Sequence, residues 1–269
     1  MPATHSTDSE AWSFILTAIS GEGALTRPAP ETLSAEAGKL LDIFEPLVMS
    51  RGPLVIGQLG QSLDGRIATE NGASHYINGE AARVHLHRLR AVVDAVVIGV
   101  GTLNADDPRL TVRHVQGPNP VRVILDPDGR ADPRSHLFHD GIAPVLHVRR
   151  KDTGGAERQH GADVETLEVA GDAVFGLHPL AVLKALAARG MTRVLVEGGG
   201  LTVSRFLQAG ALQRLHIMVA PMLIGSGRPG LCLPPIHTLD AALRPSCRVF
   251  ACGEDSLFDL ALHNSPLPV

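Results

Sequence analysis

The stretch VLVEGGGLTVSR, residues 194–205, raises the question of what this chain binds so close to its backbone. Apolar residues lead into Glu197 and three successive glycines, and a helix-like stretch follows. A strand that ends in glycines before a helix is typical of α/β proteins, which bind ligands at the carboxyl ends of their strands. Free N–H groups and the helix dipole favour an anion there, and glycine lets the backbone approach a phosphate. The alternative is a tight turn in which the glycines are needed only for packing. Because the stretch matches neither the GxGxxG pattern nor a P-loop, it leaves both an anion site and a structural turn open.

Strands alternate with helices from Pro53 onward, which predicts an α/β fold with a mostly parallel central sheet flanked by helices. The apolar strand-like runs are 54–60, 95–100, 121–126, 143–148, 193–197, 215–220 and 255–262. The helical patterns are 78–92, for which Asn78 is the expected cap, 178–190 and 201–210.

Residues 1–50 differ from this pattern. Thr7 and Glu10 have the spacing of a capping box ahead of a short apolar helix, and apolar residues recur at helical spacing from Leu40 to Val48. We therefore expect an N-terminal helical appendage over 1–50 and the main domain over 51–269. A partly mobile tail is the alternative for the first segment.

Composition excludes several classes of function. The formal net charge is −4 and aromatic residues make up 3%, which disfavours a nucleic-acid partner. No apolar run reaches the about 18 residues of a membrane span, and the polar N-terminus is not a secretory signal. Three cysteines are too few for a disulfide framework, and no metal-binding motif occurs. We expect a cytoplasmic protein without a metal.

A second glycine-rich strand exit occurs in VIGVGTLNADDP, residues 97–108. Gly99 and Gly101 alternate at strand spacing, which would leave one face of the sheet open to a flat ligand. Thr102 and Asp106 follow as polar groups in what we interpret as a loop. Two such strand ends favour one extended ligand, and a dinucleotide fits this better than a small anion.

Basic side chains recur close to this second exit. Arg83, His87 and Arg90 share one face of a helix by their spacing, and Arg109 and Arg113 follow the loop. Arginine is suited to bidentate phosphate binding. The alternative for this face is ordinary exposure to solvent.

Six segments, taken in order, resemble the reductase domain of riboflavin biosynthesis, which has a dihydrofolate-reductase-like fold. The resemblance runs from Pro53 to about Leu262 and rests on 62–68, 72–77, 81–113, 120–126, 194–210 and 220–231. It implies NADPH as hydride donor, a 5′-phosphoribosylamino-pyrimidine whose ribose is reduced to a ribityl chain, and a homodimer. The family's reductase domain often forms the second half of a bifunctional pyrimidine deaminase/reductase.

The resemblance also implies roles for individual residues. The positions that match cofactor contacts are Gly60, Tyr76, Thr102, Asp106, Gly199, Gly200, Leu201, Thr202, Val203, Ser204 and Arg205. The positions that match the substrate site are Gln58, Ser74, Arg90, Leu110, Arg113 and Glu197, with Arg90 and Arg113 on the sugar phosphate. Glu197 and Asp64 are the carboxylates expected to act as proton relays or sugar anchors.

The chain departs from the family pattern in three places. The zinc signature of the deaminase half, His-x-Glu with Pro-Cys-x-x-Cys, is absent, so we predict neither zinc nor deaminase activity. Gln58 stands where the family commonly has lysine, which puts the substrate in doubt more than the cofactor. Pro127 stands where a hydroxyl residue is frequent near the adenosine end, and Arg130, Arg149 or Arg150 is expected to cover a 2′-phosphate instead.

Two other functions stay open at this point. One is a pterin or dihydrofolate reductase on the same fold, which Gln58 favours. The other is a non-catalytic NADP-binding protein. The sequence does not decide the amination state of the pyrimidine.

Overall fold

The computed structural model describes residues 3–21, 25–151 and 164–262, and the chain forms two compact units, Met1–Leu54 and Val55–Val269. The first unit contains α1 (Ala3–Ser20) and α2 (Ala35–Val48). Their apolar faces are buried, and the ring of Trp12 meets that of Phe44 edge-on at 5.6 Å between centroids. Both predicted helices are present, but the first begins at Ala3, so the predicted capping box at Thr7 is wrong.

The second unit continues from β1 (Leu54–Ser62), the strand that begins at the boundary. The elements up to the middle of the chain are β2 (Arg66–Ala68), α3 (Glu80–Ala91), β3 (Ala95–Gly99), α4 (Val100–Asp106), β4 (Val121–Leu125) and β5 (Val145–Arg150). The remaining elements are β6 (Val164–Val169), β7 (Gly171–Asp172), β8 (Gly176–Leu177), α5 (Pro179–Ala187), β9 (Arg193–Val196), α6 (Gly200–Gln208), β10 (Arg214–Ala220), β11 (Arg228–Pro229), β12 (Ser246–Cys252) and β13 (Asp255–Ala261).

Nine of these strands form one sheet in the order β12-β13-β10-β1-β9-β3-β4-β5-β6. The pairs β1–β10, β3–β9, β3–β4, β4–β5 and β5–β6 are parallel, and β13 runs antiparallel to both of its neighbours. The predicted α/β class with a mostly parallel central sheet and flanking helices is confirmed. Within the described residues, no helix combines the length and apolarity that crossing a bilayer requires.

The central strands are apolar because they are covered by helices. Val97, Val123 and Val196 are fully buried on one face of the sheet, in the same cluster as Val182 of α5 and Phe206 of α6. This packing fixes the start of α6, and with it the glycine-rich turn, at the carboxyl end of β9.

Three local predictions differ from the structure. Residues 100–106 form α4 and not a loop, so Gly101 lies in a helix and does not continue a strand. Gly79, not Asn78, is the N-cap of α3, and the Asn78 amide donates to the carbonyl of Met218 instead. The strands β6 and β12 were not predicted, because each lies at an edge of the sheet and carries few buried apolar residues.

Candidate active site

A cleft of about 700 Å³ opens at the carboxyl ends of the central strands. Gln58 and Gly60 of β1, Gly99 at the end of β3, Leu125 at the end of β4 and Glu197 after β9 all line it. Because β9 lies between β1 and β3 in the sheet, although it comes later in the chain, the loops diverge here and leave a crevice.

The three glycines of the turn before α6 have different roles. Gly198 has a φ of +93°, and a Cβ there would lie 2.9 Å from the Thr102 side chain. A Cβ on Gly199 would lie 3.1 Å from the same threonine. A Cβ on Gly200 would lie 1.8 Å from the carbonyl oxygen of Gly230. Gly198 and Gly199 line the cleft, whereas Gly200 is buried, so packing against the chain itself accounts for all three, most fully for Gly200.

Two threonines join the starts of α4 and α6. The hydroxyl of Thr102 accepts a hydrogen bond of 2.9 Å from the N–H of Gly199. The hydroxyl of Thr202 occupies the space that a side chain on Gly99 would need, 2.5 Å from its ideal Cβ. The two glycine-rich strand exits are thus brought together, as the sequence predicts, and both threonines line the cleft.

A buried ion pair forms part of the wall. The guanidinium of Arg90 donates to both carboxylate oxygens of Glu197, at 2.7 and 3.2 Å, and to the carbonyl of Thr111 at 3.1 Å. The two residues are only 6% and 3% exposed. These three bonds use three of the five N–H groups of the guanidinium. Arg90 is therefore held in a fixed position by Glu197, while it still borders the cleft.

Arg113 lies next to this pair but outside the cleft lining. Its guanidinium donates to the hydroxyl of Thr111, and its backbone N–H donates to Nδ1 of His87. Burial, together with the charges of Arg90 and Arg109, lowers the pKa of Arg113. Burial and the nearby arginines lower the pKa of His87 to about 3, so this imidazole is a neutral acceptor at pH 7. An anion bound here would relieve the mutual repulsion of the arginines.

Most of the predicted site residues come together in the cleft. The cleft lining contains Gln58, Gly60, Ser74, Tyr76, Arg90, Thr102, Asp106, Leu110, Glu197, Gly199, Leu201, Thr202 and Arg205. The residues that lie outside it are Asp64, Arg113, Gly200, Val203 and Ser204. The α6 residues Gly200, Val203 and Ser204 are buried on the face of the helix turned away from the cleft, because helical periodicity separates them from Leu201 and Arg205.

Asp64 anchors a loop. Its carboxylate accepts hydrogen bonds from the hydroxyl of Ser62 and from the backbone N–H groups of Ile224 and Gly225. The bond from Ser62, followed by those from the backbone, lowers the pKa of Asp64 to about 2. Asp64 lies outside the cleft lining and its oxygens are engaged by the chain itself, so this geometry does not support the predicted role as a proton relay or sugar anchor.

Arg228 also lines the cleft, although no sequence pattern singled it out. It lies in the segment 220–231, one of the six that carry the resemblance, and its guanidinium lies against Gly72. The signal was an arginine between Gly227 and Pro229 in a short loop. With it, five arginines among the described residues (Arg83, Arg90, Arg130, Arg205 and Arg228) line the cleft against two carboxylates, Asp106 and Glu197.

The fold and this cleft define an α/β domain suited to an extended anionic ligand. Residues 53–248 match the RibD C-terminal domain family, and the chain belongs to this family. It is 35% identical over 216 residues to the 2,5-diamino-6-ribosylamino-4(3H)-pyrimidinone 5′-phosphate reductase of Methanothermobacter thermautotrophicus, covering 77% of this chain and 97% of that protein. It is 33% identical to the riboflavin biosynthesis protein RibD of Aquifex aeolicus, covering 71% of this chain and 53% of that protein. The chain thus spans about half the length of this RibD relative.

Solved structures show the same fold. The deaminase/5-amino-6-(5-phosphoribosylamino)uracil reductase of Thermotoga maritima superposes with a TM-score of 0.66 at 27% identity, over 84% of this chain and 61% of that one. The riboflavin biosynthesis reductase Rib7 of Saccharomyces cerevisiae gives a TM-score of 0.66 at 19% identity, over 83% of this chain and 99% of that one.

Proposed function

We propose that this protein is an NADPH-dependent oxidoreductase that reduces the ribose of a 5′-phosphoribosylamino-pyrimidine to a ribityl chain in riboflavin biosynthesis. The observation that carries the proposal is one cleft that contains both the glycine turn of Gly198 and Gly199 and the buried pair of Arg90 and Glu197. The similarity to a pyrimidinone 5′-phosphate reductase over 97% of that protein's length supports it.

The residues present fit a dinucleotide phosphate. The first residues of α6, which follow Gly199, offer backbone donors and the positive end of the helix dipole to a pyrophosphate. Tyr76 is 74% exposed at the cleft, with the guanidinium of Arg83 5.1 Å from its ring centroid, and offers a flat surface to a ring. We propose that the cofactor is held by Gly60, Tyr76, Thr102, Asp106, Gly199, Leu201, Thr202 and Arg205.

The chain's own residues then orient the sugar. We propose that Glu197, held as a carboxylate by Arg90, accepts hydrogen bonds from the hydroxyl groups of the opened ribose and so anchors the sugar. When bound, NADPH supplies the hydride that C1′ accepts. Gln58 is 8% exposed in the cleft and is a neutral hydrogen-bonding group, so it orients the substrate without adding charge.

We place the substrate phosphate near Arg90 and Arg113. Both guanidinium groups bond to Thr111 beside the cleft, which supports placing an anion next to these two positive charges. Alanine at Arg113 should raise KM for the phosphorylated substrate roughly tenfold or more, because a charge-assisted hydrogen bond is lost. An unchanged KM would remove Arg113 from the substrate site.

The wider organisation is also part of the proposal. We propose that residues 51–269 form the reductase domain and residues 1–50 a helical appendage, and that the protein acts as a cytoplasmic homodimer. Size-exclusion chromatography with light scattering measures the oligomeric state, and a monomeric mass would refute the dimer.

The test of the reaction follows NADPH absorbance with purified protein and the phosphoribosylamino-uracil, with NADH and a dihydropterin in parallel. Oxidation of NADPH with a ribityl product supports the proposal. Turnover of the unphosphorylated pterin alone would identify the pterin reductase that the neutral Gln58 favours. Tight NADPH binding without turnover of any substrate would leave a non-catalytic NADP-binding protein.

A further inference from the structure

One end of the cleft differs from the rest because its walls are mainly apolar. Beyond the two glycine-rich exits, the walls are apolar and come from the end of β4 and from the segment that leads into α5. They are formed by Leu125, Pro127, Phe175, Leu177 and Pro179. Arg130 lines the cleft beside this apolar slot, which has the character of a site for a flat base with an adjacent charged group.

The backbone of Arg130 is held by side chains on both sides. Its N–H donates to the carboxylate of Asp126 at 2.8 Å, and its carbonyl accepts from the amide of Asn104 at 2.8 Å. Asn104 belongs to α4, and Asp126 directly follows β4. The position of Arg130 is therefore set by two regular elements, although it lies in a loop, and such support is what precise recognition requires.

Asp126 is itself a fixed group. It is fully buried and also accepts from the N–H of Ala131 at 2.9 Å and from Nε2 of His147 at 3.0 Å. Burial alone would raise the pKa of Asp126, but the hydrogen bonds from His147, Arg130 and Ala131 outweigh burial and lower it. The charged carboxylate therefore holds the loop in place at neutral pH.

The charges around this end favour an anion. Among the described residues, the guanidinium of Arg130 pairs with the carboxylate of Asp128, at 3.8 Å. Arg150 already donates to Asp128 at 3.0 Å, and Arg149 places its guanidinium against the turn at Gly129. Within the part of the chain that the structure describes, three arginines thus lie around the exposed carboxylate of Asp128, and the side chain of Arg130 is 65% exposed and available to a ligand.

We propose that Arg130 binds the 2′-phosphate of the dinucleotide and makes the protein prefer NADPH to NADH. The inference rests on the proposed function, which places a dinucleotide in this cleft. Of the three arginines that the sequence offered for this role, Arg130 lines the cleft, whereas Arg149 and Arg150 do not. Its planar guanidinium offers paired donors to phosphate oxygens.

The alternative chemistry at this position is recognition of the free ribose hydroxyl groups by Asp128, which would select NADH. The ion pair between Asp128 and Arg150 opposes that, because it engages the carboxylate that would have to accept from the ribose hydroxyl groups. The Asp128→Asn variant should accordingly bind a 2′-phosphate more tightly than the wild type. Weaker binding in this variant would overturn the assignment.

The direct experiment is calorimetric titration of the full-length protein with 2′,5′-ADP and with 5′-AMP, which differ in the 2′-phosphate. The wild type should bind 2′,5′-ADP more tightly. Arg130→Ala should weaken 2′,5′-ADP binding by about 10- to 100-fold, as expected for the loss of charge-assisted hydrogen bonds, and leave 5′-AMP binding within about twofold. Arg134→Ala is the matched control, since this arginine lies in the same loop, outside the cleft lining and 87% exposed.

The outcomes separate the two proposals. If the wild type discriminates between the two nucleotides and Arg130→Ala still does, Arg130 is not the recognition residue, while the proposed function stands. If the discrimination is lost in Arg205→Ala and not in Arg130→Ala, a different arginine of the cleft wall recognises the phosphate and the inference is overturned in the same way. If the wild type binds neither nucleotide and does not bind NADPH, the proposed function fails and this inference fails with it.

Discussion

The pair of Arg90 and Glu197 shows how one contact sets both stability and chemistry. Both partners are almost fully buried, so removal of one leaves the other without compensation. We predict that Arg90→Ala lowers the free energy of unfolding by about 3–5 kcal/mol, and that Glu197→Gln costs less because it removes the charge but keeps the shape. Urea unfolding measures both, with Arg134→Ala as a surface control. A loss below about 1 kcal/mol for Arg90→Ala would show that the pair is hydrated.

Asp64 gives a pH-dependent prediction. Its pKa is about 2 in the folded protein against a model-compound value of 3.8, so the folded state favours the charged carboxylate. A depressed carboxyl pKa contributes stability above the unfolded value, and this is lost as the pH falls. We expect Asp64→Asn to lower the unfolding midpoint near pH 7, and the difference from wild type to shrink as the pH falls from about 4 towards 2. A difference that is constant over this range would exclude the carboxylate's charge as the cause.

Site residues could be predicted where they lie in a sequence segment that is informative by itself. The glycine turn, Thr102, Arg90 and Glu197 all lie in segments that match the family pattern. The role of Asp64 was not predictable, because its partners Ile224 and Gly225 lie about 160 residues away in the chain. Arg228 enters the cleft through the same loop and was missed for the same reason.

Gly200 of α6 and Gly101 of α4 make it possible to test separately whether a glycine is needed for packing or for the approach of a ligand. A Cβ on Gly200 would lie 1.8 Å from a backbone oxygen, whereas a Cβ on Gly101 meets no atom within 4 Å and borders the cleft. We predict that Gly200→Ala destabilises the protein by at least about 1–3 kcal/mol, because backbone must move. Gly101→Ala should keep or raise stability, since alanine is the better helix former.

The same pair of variants tests where the ligand lies. If a dinucleotide passes over the start of α4, Gly101→Ala should weaken NADPH binding in spite of its unchanged stability. Thermal unfolding and NADPH titration of both variants measure the two effects. Full NADPH affinity in a stable Gly101→Ala protein would mean that the ligand does not approach this turn.

Among the secondary-structure elements, the helix α4 could not be predicted from the sequence pattern. Glycine is a weak helix former, and Gly99 and Gly101 flank Val100 as alternating residues of a strand would. The structure instead turns into a helix at Val100, because Thr102 must reach the N–H of Gly199 on the neighbouring turn. Tertiary contact therefore overrides local propensity at the site itself.

The order of the strands in the whole sheet could not be predicted from the sequence pattern either, for a related reason. The alternation of strands and helices predicts a mostly parallel sheet, but not that β9 lies between β1 and β3. Nor does it predict that β13 enters antiparallel beside β10, where Asp259 is buried among His216, Arg214 and Arg248. These pairings join distant parts of the chain, and the cleft exists because of the order they impose.

The distribution of charge over the whole chain leads to the last prediction. The formal net charge is −4, yet in the described part of the chain five arginines line the cleft against two carboxylates. An anionic cofactor is therefore attracted by the local field of the cleft, and salt screens that attraction because the arginines border solvent. We expect the Kd for NADPH to rise roughly tenfold between 0.05 and 0.5 M sodium chloride, and the Kd for NADH to rise less, since NADH lacks the 2′-phosphate.

Arg228→Ala should weaken NADPH binding and reduce its salt dependence, while Arg134→Ala should change neither. Fluorescence titration across the salt range measures these constants, and a Kd for NADPH that does not vary with salt would show that the arginines of the cleft do not meet the charges of the cofactor.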